Sequence, residues 1–186
     1  NDPLLAEKQE IEEELRRKYS GFSRPDFNAL PIIAAYRKYY KQFKKSYHVQ
    51  LQLESIVLKG KSFPNLTPLV DISFMAEMNT FLLSAGHDVS KLEEPITMGI
   101  SREGDAITQL NGKEREMRTG DMIMRDGDTV ACSIIYGQDN RSPISKDTSH
   151  VLYVTYCPES IDQAMIGEHH RIIREKIKTL TPDVVI

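Results

Sequence analysis

Apolar residues fall at three- and four-residue steps through the first half of the chain and gather in short runs between turn pairs over much of the second. The first pattern lines one face of a helix and the second reads as strands. In "DPLLAEKQEIEEELRRKY", Leu4, Leu5, Ile11 and Leu15 make a thin apolar stripe. Asp2 is placed to cap this helix and Pro3 to sit in its first turn, with acids early and bases late as the helix dipole favours. So narrow a stripe predicts a surface helix, and "SGFSRPD" breaks the chain after it. "NALPIIAAYRKYYKQFKKSY" predicts a second helix, with Pro31 near its start. Ile32, Ile33, Tyr36, Tyr39, Tyr40 and Phe43 form its apolar and aromatic face, leaving Arg37, Lys38, Lys41, Lys44 and Lys45 outside. "LQLESIVLKG" is a short third helix closed by Gly60. A fourth starts with Thr67 as N-cap and Pro68 as first helical residue. It runs through Leu69, Ile72, Met75, Ala76, Asn79, Leu82 and Leu83 to a stop at Gly86.

The pattern then changes. "PITMGIS", "DAITQL", "KEREMRTGDMIMRD", "TVACSIIYG" and "HVLYVTYC" are short strand-like runs, with Asn111-Gly112 and Asp126-Gly127 as hairpin signals. Ser160 is placed to cap a last helix, "IDQAMIGEHHRIIREKIKTL", with Ile166, Ile173, Ile177 and Leu180 on one side. Helices, then a meandering sheet, then a helix imply an α+β fold rather than an alternating one. Residues 1–186 read as one domain, in which helices 3–18 and 160–180 are accessory. No internal repeat or low-complexity segment is visible.

Composition alters this picture little. A chain of 186 residues, 40% hydrophobic and 27% charged, is long enough to bury a core without staples. There is no run of about 18 apolar residues, so no membrane span is expected. No signal peptide or lipidation motif is seen, which implies a cytoplasmic location, although the chain opens on Asn1 rather than Met. Cys132 and Cys157 lie in strand-like runs without CxxC spacing, and read as free buried thiols in preference to a disulfide or zinc site. A net charge of −3 gives no general attraction to nucleic acid, so any RNA contact must come from a local patch.

Candidate chemistry is thin. Walker loops, GxGxxG, GxSxG and HExxH are all absent, and no nucleophile–base–acid triad can be assigned. His169 and His170 are adjacent on a helix and point about 100° apart, which argues against both ligating one metal. No metal and no cofactor are expected. In "YRKYYKQFKKSY", lysines could hold an RNA backbone while tyrosines stack on bases. The competing reading, which the one-sided aromatics favour, is an amphipathic helix with buried rings and solvated charges. The charges, with Arg37, Lys41, Lys44 and Lys45 foremost, can still serve RNA while the rings pack. "IIYGQDNRSPIS" follows an apolar strand and gathers Tyr136, Gln138, Asp139, Asn140 and Arg141, either as a site lining or as a plain polar connection.

One resemblance reaches across most of this. "VLKGKSFPNLTPLVDISFMAEMNTFLLSAGHDVSKL" resembles the B-three/B-four editing domain of the bacterial phenylalanyl-tRNA synthetase beta subunit, and more closely its free-standing relatives. It is carried by Leu58 to Lys61, Pro64, Asn65 and Pro68 to Asp71. The likeness continues through Gly120-Asp121 and Thr148 to Leu152, and covers roughly residues 30–158. It implies a three-layer arrangement with a β-sandwich of unusual topology and helices packed on the sheet. It also implies a pocket that hydrolyses an amino acid wrongly esterified to tRNA, tyrosine in the synthetase's case.

The chain departs from that pattern in places. Ser73 and Phe74 stand where the synthetase has threonine and asparagine, and its histidine near the helix end falls on Ala85, with His87 two residues later. The glutamate that reads the tyrosine hydroxyl falls on Pro143, and Ile134 and Ile135 replace aromatics of the free-standing relatives. A site that bonds a substrate hydroxyl rejects the analogue lacking it by roughly 10⁴ to 10⁵, so losing the acceptor removes tyrosine specificity.

The expectation is therefore a stand-alone aminoacyl-tRNA deacylase using positioned water. Ser73 and backbone amides would orient the ester, with His87 or Asp88 holding the water. Phe74, Tyr136, Gly137, Gln138, Asn140 and Arg141 would bind substrate. A tRNA ribose hydroxyl would act as internal base. Ser73 has an alternative as a helix residue bonded to its own backbone, and Asp71 reads as a structural acceptor. The rivals are a module that binds an amino acid or a tRNA 3′ end without hydrolysis, and an ester or amide hydrolase unrelated to tRNA.

Overall fold

The computed structural model describes residues 2–186 and shows an α+β fold. It divides into two compact units: the chain up to Leu83 together with Cys157–Ile186, and the continuous stretch Ser84–Tyr156. The first is helical: α1 (Leu5–Lys18), α2 (Arg24–Ala29), α3 (Pro31–Gln42), α4 (His48–Lys59), α5 (Pro68–Thr80) and α6 (Gln163–Leu180).

Helix α1 starts later than expected, with Leu4 as its N-cap and no side-chain cap bond; Pro3 lies in the turn before it, where the Asp2 carboxylate accepts the Leu4 N–H at 2.9 Å. The inner face of α1 is broader than its apolar stripe, because Lys8 and Glu12 are buried beside Leu4 and Leu15. Lys8 Nζ lies 2.5 Å from Asp71 Oδ2 and 2.9 Å from Asp2 Oδ2. Burial alone lowers an ammonium's pKa, but these two carboxylates outweigh it and hold Lys8 above its ordinary value. Asp71 also accepts the Leu66 N–H at 3.3 Å, so its reading as a structural acceptor fits.

"SGFSRPD" does more than break the chain. Ser23 and Asp26 form a reciprocal capping box that starts α2, with the Ser23 N–H 2.8 Å from Asp26 Oδ2. The expected single helix over residues 28–47 is thus two, split at Leu30. That residue precedes Pro31 and takes an extended conformation, as the proline ring requires. Helix α4 ends as predicted on Gly60, whose φ is 63°.

The fourth predicted helix is the largest correction. It starts at Thr67 and Pro68 as expected but ends at Thr80, where Phe81 turns left-handed with φ 60°. Tyr47 Oη donates to the Phe81 carbonyl at 2.7 Å, and Tyr36 Oη accepts the Leu83 N–H at 3.0 Å. These buried tyrosines, stacked with ring centroids 4.2 Å apart, satisfy the backbone groups that a continuing helix would have used. Residues Leu83–Asp88 form strand β1 instead. Gly86 therefore stops nothing. It sits inside a strand where a Cβ would lie 2.5 Å from Ile144 Cδ1 and 3.0 Å from Tyr153 Cε1.

In the second unit β1 pairs with β8 (Val151–Tyr156). A four-stranded antiparallel sheet has the order β2 (Ile96–Ile100), β5 (Met122–Asp126), β6 (Thr129–Ser133), β7 (Gly137–Gln138). Strands β3 (Ala106–Thr108) and β4 (Glu114–Glu116) pair separately. Both predicted hairpins are present, with Gly112 at φ 77° and Gly127 at φ 55° in the turns. Ile107, Met117, Ile123 and Val130 make an apolar cluster with Tyr136 packed against it. The cap of α6 is Asp162, which accepts the Ala164 N–H at 2.8 Å, rather than Ser160.

Candidate functional site

The loop after β7 is tied to β1 by a buried polar cluster. Ser142 Oγ lies 2.8 Å from His87 Nδ1 and 2.7 Å from Asp139 Oδ1, and the Ser142 N–H donates to the same carboxylate oxygen at 3.1 Å. Asp139 Oδ2 is 2.8 Å from Arg141 Nε. Gln138 Nε2 donates its two hydrogens to the carbonyls of Gly86 (2.9 Å) and Ser142 (3.0 Å). Its contact with His87 Nδ1 at 3.1 Å therefore carries no hydrogen. With the Ser142 hydrogen drawn to the carboxylate, Nδ1 is the donor to Oγ and Nε2 keeps its lone pair. No partner for Nε2 is present among the described residues, and the ring is 0% exposed. Burial pulls the imidazole pKa down from 6.5 to about 4, against the pull of Asp139 and Asp126, so His87 is neutral near pH 7.

Asp88 is spent on local structure. Its Oδ1 accepts from the Ser90 hydroxyl (2.6 Å) and N–H (3.1 Å), and its Oδ2 from Thr148 Oγ1 at 2.8 Å. Bonds from Ser90 and then Thr148 hold its pKa down at about 2. Tyr136 gives its carbonyl to Gln109 Nε2 at 2.8 Å, and its hydroxyl accepts the Arg118 N–H at 3.3 Å. Gly137 turns the chain beside it with φ 83°.

The two remaining strand-unit residues of the predicted set reach a polar cavity of about 350 Å³. Asn140 and Arg141 line it with Thr108, Thr129, Asp105 and Asp128. Arg141 is anchored there by Asp126 Oδ1 at 2.7 Å, and Arg125 by Asp105 Oδ2 at 2.5 Å. Asp128 is exposed and joins no ion pair among the described residues. The cavity thus offers a carboxylate, amide and hydroxyl donors, and a guanidinium in a space sized for a small molecule.

Ser73 and Phe74 belong to the helical unit. Ser73 Oγ donates to the Val70 carbonyl at 2.8 Å, which is its backbone-bonded alternative. Phe74 lines a small apolar hollow with Ile56, Phe63, Pro64 and Met78. Arg37, Lys41, Lys44 and Lys45 converge on a groove of about 520 Å³. The tyrosines of that tract pack as the amphipathic reading holds, with Tyr36 and Tyr40 buried. His169 is buried with Nδ1 2.7 Å from Thr80 Oγ1, and burial pulls its pKa down to about 4. Cys132 is buried, Cys157 is half-buried, and both are free. Among the described residues no three His, Cys, Asp or Glu side chains gather as metal ligands, and no helix is long and apolar enough to cross a membrane.

Sequence reasoning missed Ser142 and the structural use of Asp139. The signal was present, since an Asp can accept the backbone N–H three residues on, as a capping residue does.

The B3/4 domain family matches residues 34–175, most of the chain. This chain belongs to the B3/4 domain family. That domain is found in the phenylalanyl-tRNA synthetase beta subunit, so the resemblance carried by residues 58–71 names the right family. The B3/4 match spans both the basic tract and the whole strand unit. No curated protein matches the chain.

Proposed function

We propose that this B3/4 protein is a stand-alone editing protein that hydrolyses a mischarged aminoacyl ester at a tRNA 3′ end, for an amino acid other than tyrosine. The observation that carries the proposal is the polar cavity of about 350 Å³ beside Asn140 and Arg141, in a chain whose family is linked to tRNA synthetase editing. An aminoacyl group presents an ammonium and an ester carbonyl. Asp128 suits the first, and the Asn140 amide and Arg141 suit the second. An activated ester needs only about 4 kcal/mol of barrier lowering for a 10³-fold gain, within reach of positioned water and one or two oxyanion donors. In this scheme His87 and Asp88 are positioning residues. His87 fixes the loop that carries Asn140 and Arg141, and Asp88 fixes Thr148.

Incubation with a panel of mischarged tRNAs tests this. We expect one amino acid to be released, with the rate falling about 10- to 100-fold in Asn140→Ala and in Asp128→Asn, a loss of about 1.4–2.8 kcal/mol. The second reading, a module that holds the amino acid or tRNA end without cleavage, draws on the Ser73 hydroxyl being spent on Val70 and the sealed position of His87. Intact esters throughout the panel, with saturable amino-acid binding, would decide for it.

A further inference from the structure

The helical unit carries a second feature that an ester pocket does not use. One wall of its groove presents Arg37, Lys38 and Lys41 from α3, and the turn that follows presents Lys44 and Lys45. All five are exposed, and none joins an ion pair among the described residues. The one acid lining the groove, Glu54, is already held by Arg24 and by Gln50 Nε2 at 2.8 Å. A chain of net charge −3 thus concentrates uncompensated positive charge on one face. Lys44 even sits at φ 56°, a conformation that suits glycine better than a long side chain.

The ligand class follows from what else the groove has. Tyr47, the one aromatic residue that lines the groove, is buried and offers no ring for a base to stack on, so nucleobases are not read here. A lone half-exposed Leu51 is no anchor for a membrane. Arg37 and Lys41 stand one helical turn apart, about 6 Å along the axis, which suits a polymer with a charge on every nucleotide. We propose that this groove binds the phosphodiester backbone of RNA without reading its sequence. The proposal deepens the editing reading by assigning the face that holds the RNA body, and it rests on that reading only for the choice of RNA.

Fluorescence anisotropy with uncharged tRNA and with a single-stranded RNA tests it, independently of any ester hydrolysis. Five phosphate contacts give a log–log salt slope of about −3.5 on a single strand, or about 100-fold weaker binding when salt rises fourfold. The triple variant Arg37→Gln, Lys41→Gln, Lys45→Gln should keep the wild-type thermal melt while its slope falls to about −1.4. A variant that melts normally and binds with the wild-type slope would overturn the proposal. So would displacement of RNA by polyglutamate of matching charge as readily as by RNA, which would mark an acidic-protein surface. Two oligonucleotides of equal length and different sequence should bind within about threefold of each other, and a tenfold preference would contradict backbone-only recognition.

Discussion

An ammonium that is 3% exposed persists only with charge close by, and Lys8 has Asp2 and Asp71 against it. Asp71→Asn should cost about 3 kcal/mol in urea unfolding, because it leaves a buried cation short of a partner. The apolar pair Lys8→Met with Asp71→Leu should recover most of that loss. The two buried histidines set a second expectation. Their folded pKa values of about 4 lie below the unfolded 6.5, so the unfolded chain binds more protons between those values and stability falls as pH drops through the window. The denaturation midpoint should be flat above about pH 7, with a loss of about 2 kcal/mol per histidine by pH 5. Asp88, held at about 2, loses its contribution only below its ordinary 3.8, outside this window. A midpoint unchanged from pH 7.5 to 5 would contradict the neutral, buried imidazoles. Lys8 also shows what one-dimensional patterning misses. Its long stem packs like an apolar side chain, but its right to be inside depends on Asp71, far along the sequence.

Among the elements, those with a local physical cause were readable. Asn-Gly and Asp-Gly accept the positive φ of tight hairpins, Gly60 accepts the left-handed cap, and Pro68 suits a first helical turn. The end of α5 had no such signal. Phe81 is an unremarkable phenylalanine in sequence, and the freed backbone groups are taken up by distant hydroxyls, the Phe81 carbonyl by Tyr47 and the Leu83 N–H by Tyr36. The expected last turn of that helix, its stop at Gly86, and His87 and Asp88 after it therefore become a paired strand. The site suffered similarly. The loop 136–141 was flagged by its polarity, whereas the His87–Ser142–Asp139 tie was invisible until β1 and that loop were side by side. Strand β1 supplies the element-scale test. Gly86→Ala pushes a methyl toward Ile144 Cδ1 and the Tyr153 ring, and should cost about 1–3 kcal/mol by thermal melt, with Ile144→Val restoring part of it.

At the scale of the whole molecule, composition said only that the chain could bury a core of its own, and the α+β class was legible in the order of helices and strands. The division into units did not follow from that order, because contacts and not chain continuity define it. The helical unit is built from two separated pieces of chain, joined through α5 and α6 and through Thr80 to His169, while the strand unit is one uninterrupted stretch. This has a consequence for biosynthesis. As the polypeptide leaves the ribosome, α5 emerges well before the helix it packs on, and every residue of Ser84–Tyr156 is translated in between. The strand unit, contiguous and complete, is free to fold while the earlier helices still await their last partner. A stall anywhere in that interval leaves α5 without its cover, so the helical half is the one that nascent-chain chaperones have most reason to hold.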